Sequence, residues 1–166
     1  MPDLVSNYEI SKDGKTYTLK LKDDVSWHDG EPFTSEDVVF TINSVQNPEY
    51  ASPLRTSWQG IKAEATDKNT VVLALKTPYG SFVENLAQIG VLPKHIWKNV
   101  LPQNFPLAEF NLKPIGTGPY KFSKLQKDSL GRIISVNLSA NENYFETGPL
   151  IENIALRFYL SEEEMV

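Results

Sequence analysis

The chain has 166 residues, 40 % of them hydrophobic, a formal net charge of −5 and a pI near 5.1. That is enough apolar material for one core of ordinary size, while its 16 Lys and Arg are too scattered to form the cationic cluster that nucleic-acid phosphates require. No cysteine is present, which excludes disulfides, thiolate nucleophiles and thiolate metal sites, and the longest apolar runs, such as residues 71–75, are far too short to span a bilayer.

In chain order, residues 9–11 and 17–21 flank an Asp13-Gly14 turn and read as a hairpin, with Tyr17, Leu19 and Leu21 on one buried face. Residues 25–33 read as a short strand anchored by Trp27, followed by a second Asp-Gly turn beside which His28 is expected as a residue of the solvent edge. Thr34 is the expected N-cap of the clearest helix, with Asp37 three residues on completing a short capping box. Val38, Ile42 and Val45 recur at helical spacing, Val39 and Phe40 widen that stripe, and Asn47-Pro48 ends the helix. Residues 50–60 lack a clean period and suit a helical turn, in which Arg55 and Trp58 share a face.

Residues 61–65 and 70–76 form a second predicted hairpin, Ser81 opens a short helix carrying Phe82 and Leu86, and Pro93 suits the start of another that turns Ile96 and Trp97 inward. Lys94 and His95 then point elsewhere. Residues 98–113 read as a surface connection to a sharply specified crossing, Pro114-Ile115-Gly116-Thr117-Gly118-Pro119. Its glycines are free to take positive φ, and its N–H groups are able to face a ligand. A third hairpin (120–126 and 133–138) and a last alternating strand within 151–160 complete the chain. At least seven strands arranged mostly as hairpins, with three or four helices, predict an α+β fold of mixed or antiparallel sheets.

No phosphate loop, metal motif or nucleophile elbow is present, and the two histidines lie 67 residues apart (95 − 28), so neither an enzyme nor a metal site is expected. Arg55 offers a planar fork and Trp58 a flat wall, the pair expected either to line a cleft or to cap a small core. Lys94, His95 and Thr117 complete the set of candidate ligand-binding residues.

Five segments in order carry a resemblance: Pro2-Asp3-Leu4 with Asp13-Gly14-Lys15; Trp27-His28-Asp29-Gly30 through Val39; Leu92-Pro93-Lys94-His95-Ile96-Trp97; Gly116-Thr117-Gly118-Pro119-Tyr120; and Asn141-Glu142-Asn143-Tyr144-Phe145. Together they resemble the extracytoplasmic solute-binding proteins of the peptide and nickel class (family 5) that serve ABC importers. The resemblance implies part of the first lobe of a two-lobed, periplasmic-binding-protein-like fold. On that reading residues 1–166 are one truncated lobe, divisible into a core (1–45 with 114–166) and an extra subdomain (46–113), with the leader and second lobe absent. It also implies capture of oligopeptides or dipeptides outside the cytoplasm, in the periplasm or as a cell-surface lipoprotein, and delivery to the permease subunits, without a cofactor. The alternatives are a receptor of the same class for nickel complexes or oligosaccharides, or a protein-interaction domain.

Overall fold

In the computed structural model, which describes residues 3–161, the Asp13-Gly14 turn joins strands β1 (Val5–Ile10) and β2 (Thr16–Leu21) in antiparallel register. The Asp13 carboxylate accepts the Ser11 hydroxyl and the Lys15 N–H, and the Ser11 hydrogen bond is the main cause that holds its pKa below the usual carboxylate range. Strands β3 (Lys62–Asp67) and β4 (Thr70–Ala74) form the second hairpin, and β4 pairs with β2 to give a four-stranded antiparallel sheet in the order β1-β2-β4-β3. Tyr17, Leu19 and Leu21 are buried along β2 as their alternation predicts, beside Val71 and Leu73 of β4.

Helix α1 (Ser35–Gln46) packs across β3 and β4 through Val38, Thr41, Ile42 and Val45. Its start is tied twice. Asp37 accepts the Thr34 N–H at 2.9 Å, the carboxylate half of a capping box, and Ser35 donates its hydroxyl to the Asp67 carbonyl at the end of β3. Val39 and Phe40 do not widen the core stripe as expected. They are half-buried and line a cavity on the opposite side of the helix, because an α-helix turns about 100° per residue and carries them past the face that meets the sheet.

Short helices α2 (Arg55–Trp58), α3 (Phe82–Leu86) and α4 (Lys94–Trp97) close the core around large aromatic rings. The Phe82 ring meets Tyr17 edge-on at 4.8 Å and Trp58 at 5.7 Å. The connection after α4 is more ordered than a bare surface loop: a 3-10 helix at Pro102–Leu107 brings Phe105 against Tyr50 and Trp97, with ring centroids 4.4 and 4.5 Å away.

The chain divides into two compact units. The first holds the described residues up to Val25 together with Pro32–Ala108, and the second holds Ser26–Glu31 with the described residues from Glu109 onward. Strands β5 (Tyr120–Lys127), β6 (Ile133–Ala140) and β7 (Asn153–Arg157) of the second unit form an antiparallel sheet in that order. The turn between β5 and β6 is organised by Asp128, which accepts the N–H groups of Leu130 and Arg132 and the Arg132 side chain, while Gly131 takes a left-handed φ of +80°. One sheet face, with cross-strand neighbours Leu125, Val136 and Leu156, is apolar, and Ile134, Leu156 and Phe158 are exposed there. Among the described residues no helix is long and apolar enough to cross a membrane.

Candidate functional site

Four of the five candidate side chains lie in the first unit and are arranged around α1. Trp58 is 1 % exposed, packed on Phe82, and offers almost no surface to a ligand. Arg55, on the same helical turn, donates its Nε–H to the carbonyl of Gln46 at 3.0 Å. Gln46 is the last residue of α1, whose final turn holds no basic residue of its own, so the guanidinium supplies the positive charge that the carbonyl end of a helix favours. The Gln46 side chain extends this tie, donating to the Ile61 carbonyl and accepting the Gly60 N–H.

Lys94 sits at the other end of α1. Its backbone N–H donates to Asp37 at 2.8 Å and its ammonium pairs with Glu36 at 2.6 Å. His95 follows it on α4, half-buried. Glu36 and Gln46 are ten residues apart, so at a rise of about 1.5 Å per residue the anchoring points of Lys94 and Arg55 are separated by roughly 15 Å. The two cations are not brought to one point. Between them, on the outer side of α1, runs an open cavity of about 370 Å³ lined by Glu36, Phe40, Asn43, Asn47, Tyr50 and Lys94. Its walls combine amide side chains, two aromatic rings and a neutralised ion pair, which suits a polar, uncharged ligand surface better than an anion.

Thr117, the fifth candidate, belongs to the second unit, half-buried in the crossing between Pro114 and Pro119. The positive φ available to Gly116 and Gly118 goes unused; the left-handed glycines are Gly14, Gly30, Gly60 and Gly131. A Cβ at Gly116 would stand 3.4 Å from Cε1 of His28.

His28 lies in a turn, as expected, but it is half-buried and its ring is tied to the crossing. Its backbone N–H donates to the Gly116 carbonyl at 2.9 Å, its ring Nδ1 lies 3.1 Å from the Gly116 N–H, and its Nε2 lies 3.0 Å from the Gly118 carbonyl. A backbone N–H only donates and a carbonyl only accepts, so these partners assign the neutral ring with its proton on Nε2. Asn141 adds to the clamp, donating its side-chain N–H to the Gly118 carbonyl and its backbone N–H to Pro119. No local signal near residue 28 pointed to this, because the partners lie 88 and 90 residues further along the chain.

A model of the bacterial extracellular solute-binding proteins, family 5 (Middle), matches residues 1–166. The chain belongs to this family. Among family-5 relatives, a peptide-binding protein of Brucella ovis, described as a putative ABC-transporter component, is 36 % identical over 159 residues, which is 95 % of this chain and 29 % of that protein. The structure of NikZ from Campylobacter jejuni in complex with Ni(L-His) superposes with a TM-score of 0.85 at 35 % identity, over 99 % of this chain and 32 % of NikZ. The oligopeptide-binding protein AppA from Bacillus subtilis, in complex with a nonapeptide, gives a TM-score of 0.84 at 31 % identity, over 95 % of this chain and 31 % of AppA. The chain thus spans about a third of the length of the family-5 proteins it matches, and the α+β architecture read from its hairpins is the one those proteins contain.

Proposed function

We propose that this chain is part of the ligand-capturing component of an ABC importer that takes up oligopeptides or dipeptides outside the cytoplasm and hands them to permease subunits. The observation that supports the reading most strongly is the family-5 match across residues 1–166, together with the ABC-transporter peptide-binding relative at 36 % identity. The role is binding without chemistry, in the periplasm or on a cell-surface lipoprotein. Peptide receptors of this kind satisfy the ligand main chain with polar groups and treat its side chains loosely. Arg55, Lys94, His95 and Thr117 are the proposed contacts, with Trp58 as the packed support beneath the turn that carries Arg55. The apolar sheet face at Ile134, Leu156 and Phe158 is the surface this reading assigns to a second lobe.

A second reading, a receptor for a nickel complex, draws on the likeness to NikZ. Isothermal titration separates the two. A pool of di- to pentapeptides and, separately, nickel with L-histidine are titrated into this chain and into a chimera in which it replaces the matching third of B. subtilis AppA. Saturable peptide heats in the chimera are the expected result, and binding of the nickel complex alone would favour the second reading. If AppA itself binds peptides and the chimera binds neither ligand, both readings fail.

A further inference from the structure

We propose that His28 is a positioning residue that holds the crossing in the one backbone arrangement in which the consecutive N–H groups of Thr117 and Gly118, with the Thr117 hydroxyl, receive a carboxylate or carbonyl oxygen of the ligand. The inference takes its ligand from the peptide-capture reading above, and its site from geometry contained wholly within the second unit.

The hydrogen-bond accounting around the crossing is uneven. Gly116 is satisfied on both sides by His28, through its own N–H to Nδ1 and its carbonyl from the His28 N–H. The Gly118 carbonyl receives two donors, His28 Nε2–H and the Asn141 amide. Between these anchored groups, the N–H of Thr117, its hydroxyl and the N–H of Gly118 make no hydrogen bond among the described residues. Thr117 and Gly118 are both half-buried, so these donors are neither lost in a core nor on a fully solvated tip. A half-buried donor that its own fold leaves unpaired is suited to an acceptor from outside.

The flanking chain adds rigidity. Pro114 and Pro119 restrict the residues before them, and a β-carbon at Gly116 would stand at contact distance from the imidazole. Oxygen acceptors fit these two N–H groups and the hydroxyl, each of which can donate to them. A free carboxylate and a peptide carbonyl share that chemistry, and the probes distinguish them.

The test uses the chain labelled with nitrogen-15. Long-range nitrogen correlation should show His28 with an unprotonated Nδ1 and a protonated Nε2. Sodium acetate should shift the Thr117 and Gly118 amide signals saturably, and trialanine amide, which has no carboxylate, should shift the same signals if a peptide carbonyl serves. His28→Ala should weaken the acetate response about tenfold, the size of one lost positioning hydrogen bond. His28→Asn, whose amide oxygen stands near the Nδ1 position, should restore part of it while the rest of the spectrum is unchanged. The opposite ring tautomer, unmoved Thr117 and Gly118 signals with both probes, or an undiminished response in His28→Ala would overturn the proposal. Acetate binding at these amides without any peptide binding by the chimera leaves this site standing and removes the importer reading. Peptide binding that leaves both amides unmoved does the reverse.

Discussion

One carboxylate oxygen of Asp37 accepts the backbone N–H of Lys94 at 2.8 Å, across 57 residues of chain, while the other accepts the N–H of Thr34 at the start of the same helix. A residue that caps α1 thereby also fixes where α4 begins. Asp37 is 4 % exposed, and removing its carboxylate leaves two part-buried backbone donors without their acceptor. Asp37→Ala is expected to cost about 3 kcal/mol, since hydrogen bonds to a charged group contribute roughly 1.5–3 kcal/mol and an orphaned buried donor costs a further share. Urea unfolding at neutral pH measures this. A loss under about 1 kcal/mol would show that the two donors find other partners.

Thr41 makes a comparable tie in the middle of α1. Its hydroxyl donates to the Asp37 carbonyl at 2.8 Å and accepts the Leu92 N–H at 2.9 Å. Thr41→Val preserves the shape and removes both bonds, and the expected loss is about 1–3 kcal/mol because Leu92 keeps an unsatisfied donor. Hydrogen exchange at the Leu92 amide should quicken more than exchange elsewhere in the unit, and uniform quickening would mean that the whole core had loosened instead.

For Trp58 the expected effect is on stability. Truncating a ring that is 1 % exposed and packed on Phe82 leaves a cavity, so Trp58→Ala should cost about 3–5 kcal/mol. Lys94→Ala is the contrasting variant. Its ion pair with Glu36 joins groups 39 % and 58 % exposed, and such pairs contribute about 0.2–1 kcal/mol. Any larger change in peptide affinity of the Lys94→Ala chimera by isothermal titration therefore reads as lost ligand contact, and an unchanged affinity removes Lys94 from the proposed contacts.

The pH dependence of the β5–β6 turn follows from Asp128. The side-chain hydrogen bond from Arg132 is the chief cause that lowers its pKa below the usual carboxylate range, with backbone N–H groups adding to it. A group whose pKa is depressed on folding stabilises the fold fully above the unfolded value and loses that contribution as the pH falls through the folded one. The difference in unfolding midpoint between the native chain and Asp128→Asn should thus be present at pH 7 and shrink as the pH drops below about 4. A difference that stays constant down to pH 2 would mean the carboxylate charge contributes nothing to the turn.

Much of this architecture could be read without coordinates because it depends on near neighbours. Asp13-Gly14 and Asp128 with Gly131 specify their turns within a few residues, the alternation Tyr17, Leu19, Leu21 marks the buried face of β2, and Thr34 with Asp37 marks the start of α1. Helical phase was harder: Val39 and Phe40 look like core residues by composition, and only the position of the sheet showed that they face the cavity.

The candidate site divides along the same line. Sequence alone determined that the crossing at 114–119 is tightly restricted, since proline and glycine act on the backbone they occupy, and its spaced motifs identified the family. Tertiary structure decided what holds the crossing and what surrounds the other candidates. His28 finds Gly116 and Gly118, Arg55 finds the carbonyl end of α1, and Lys94 finds Glu36 and Asp37. The contacts of His28 and Lys94 join segments distant in the chain, while Arg55 reaches back across a short connection, and each is made by a side chain whose own neighbours in sequence are compatible with many partners. Local propensity can restrict a backbone, but which donor meets which acceptor is settled only when the packing of apolar faces brings the two segments together.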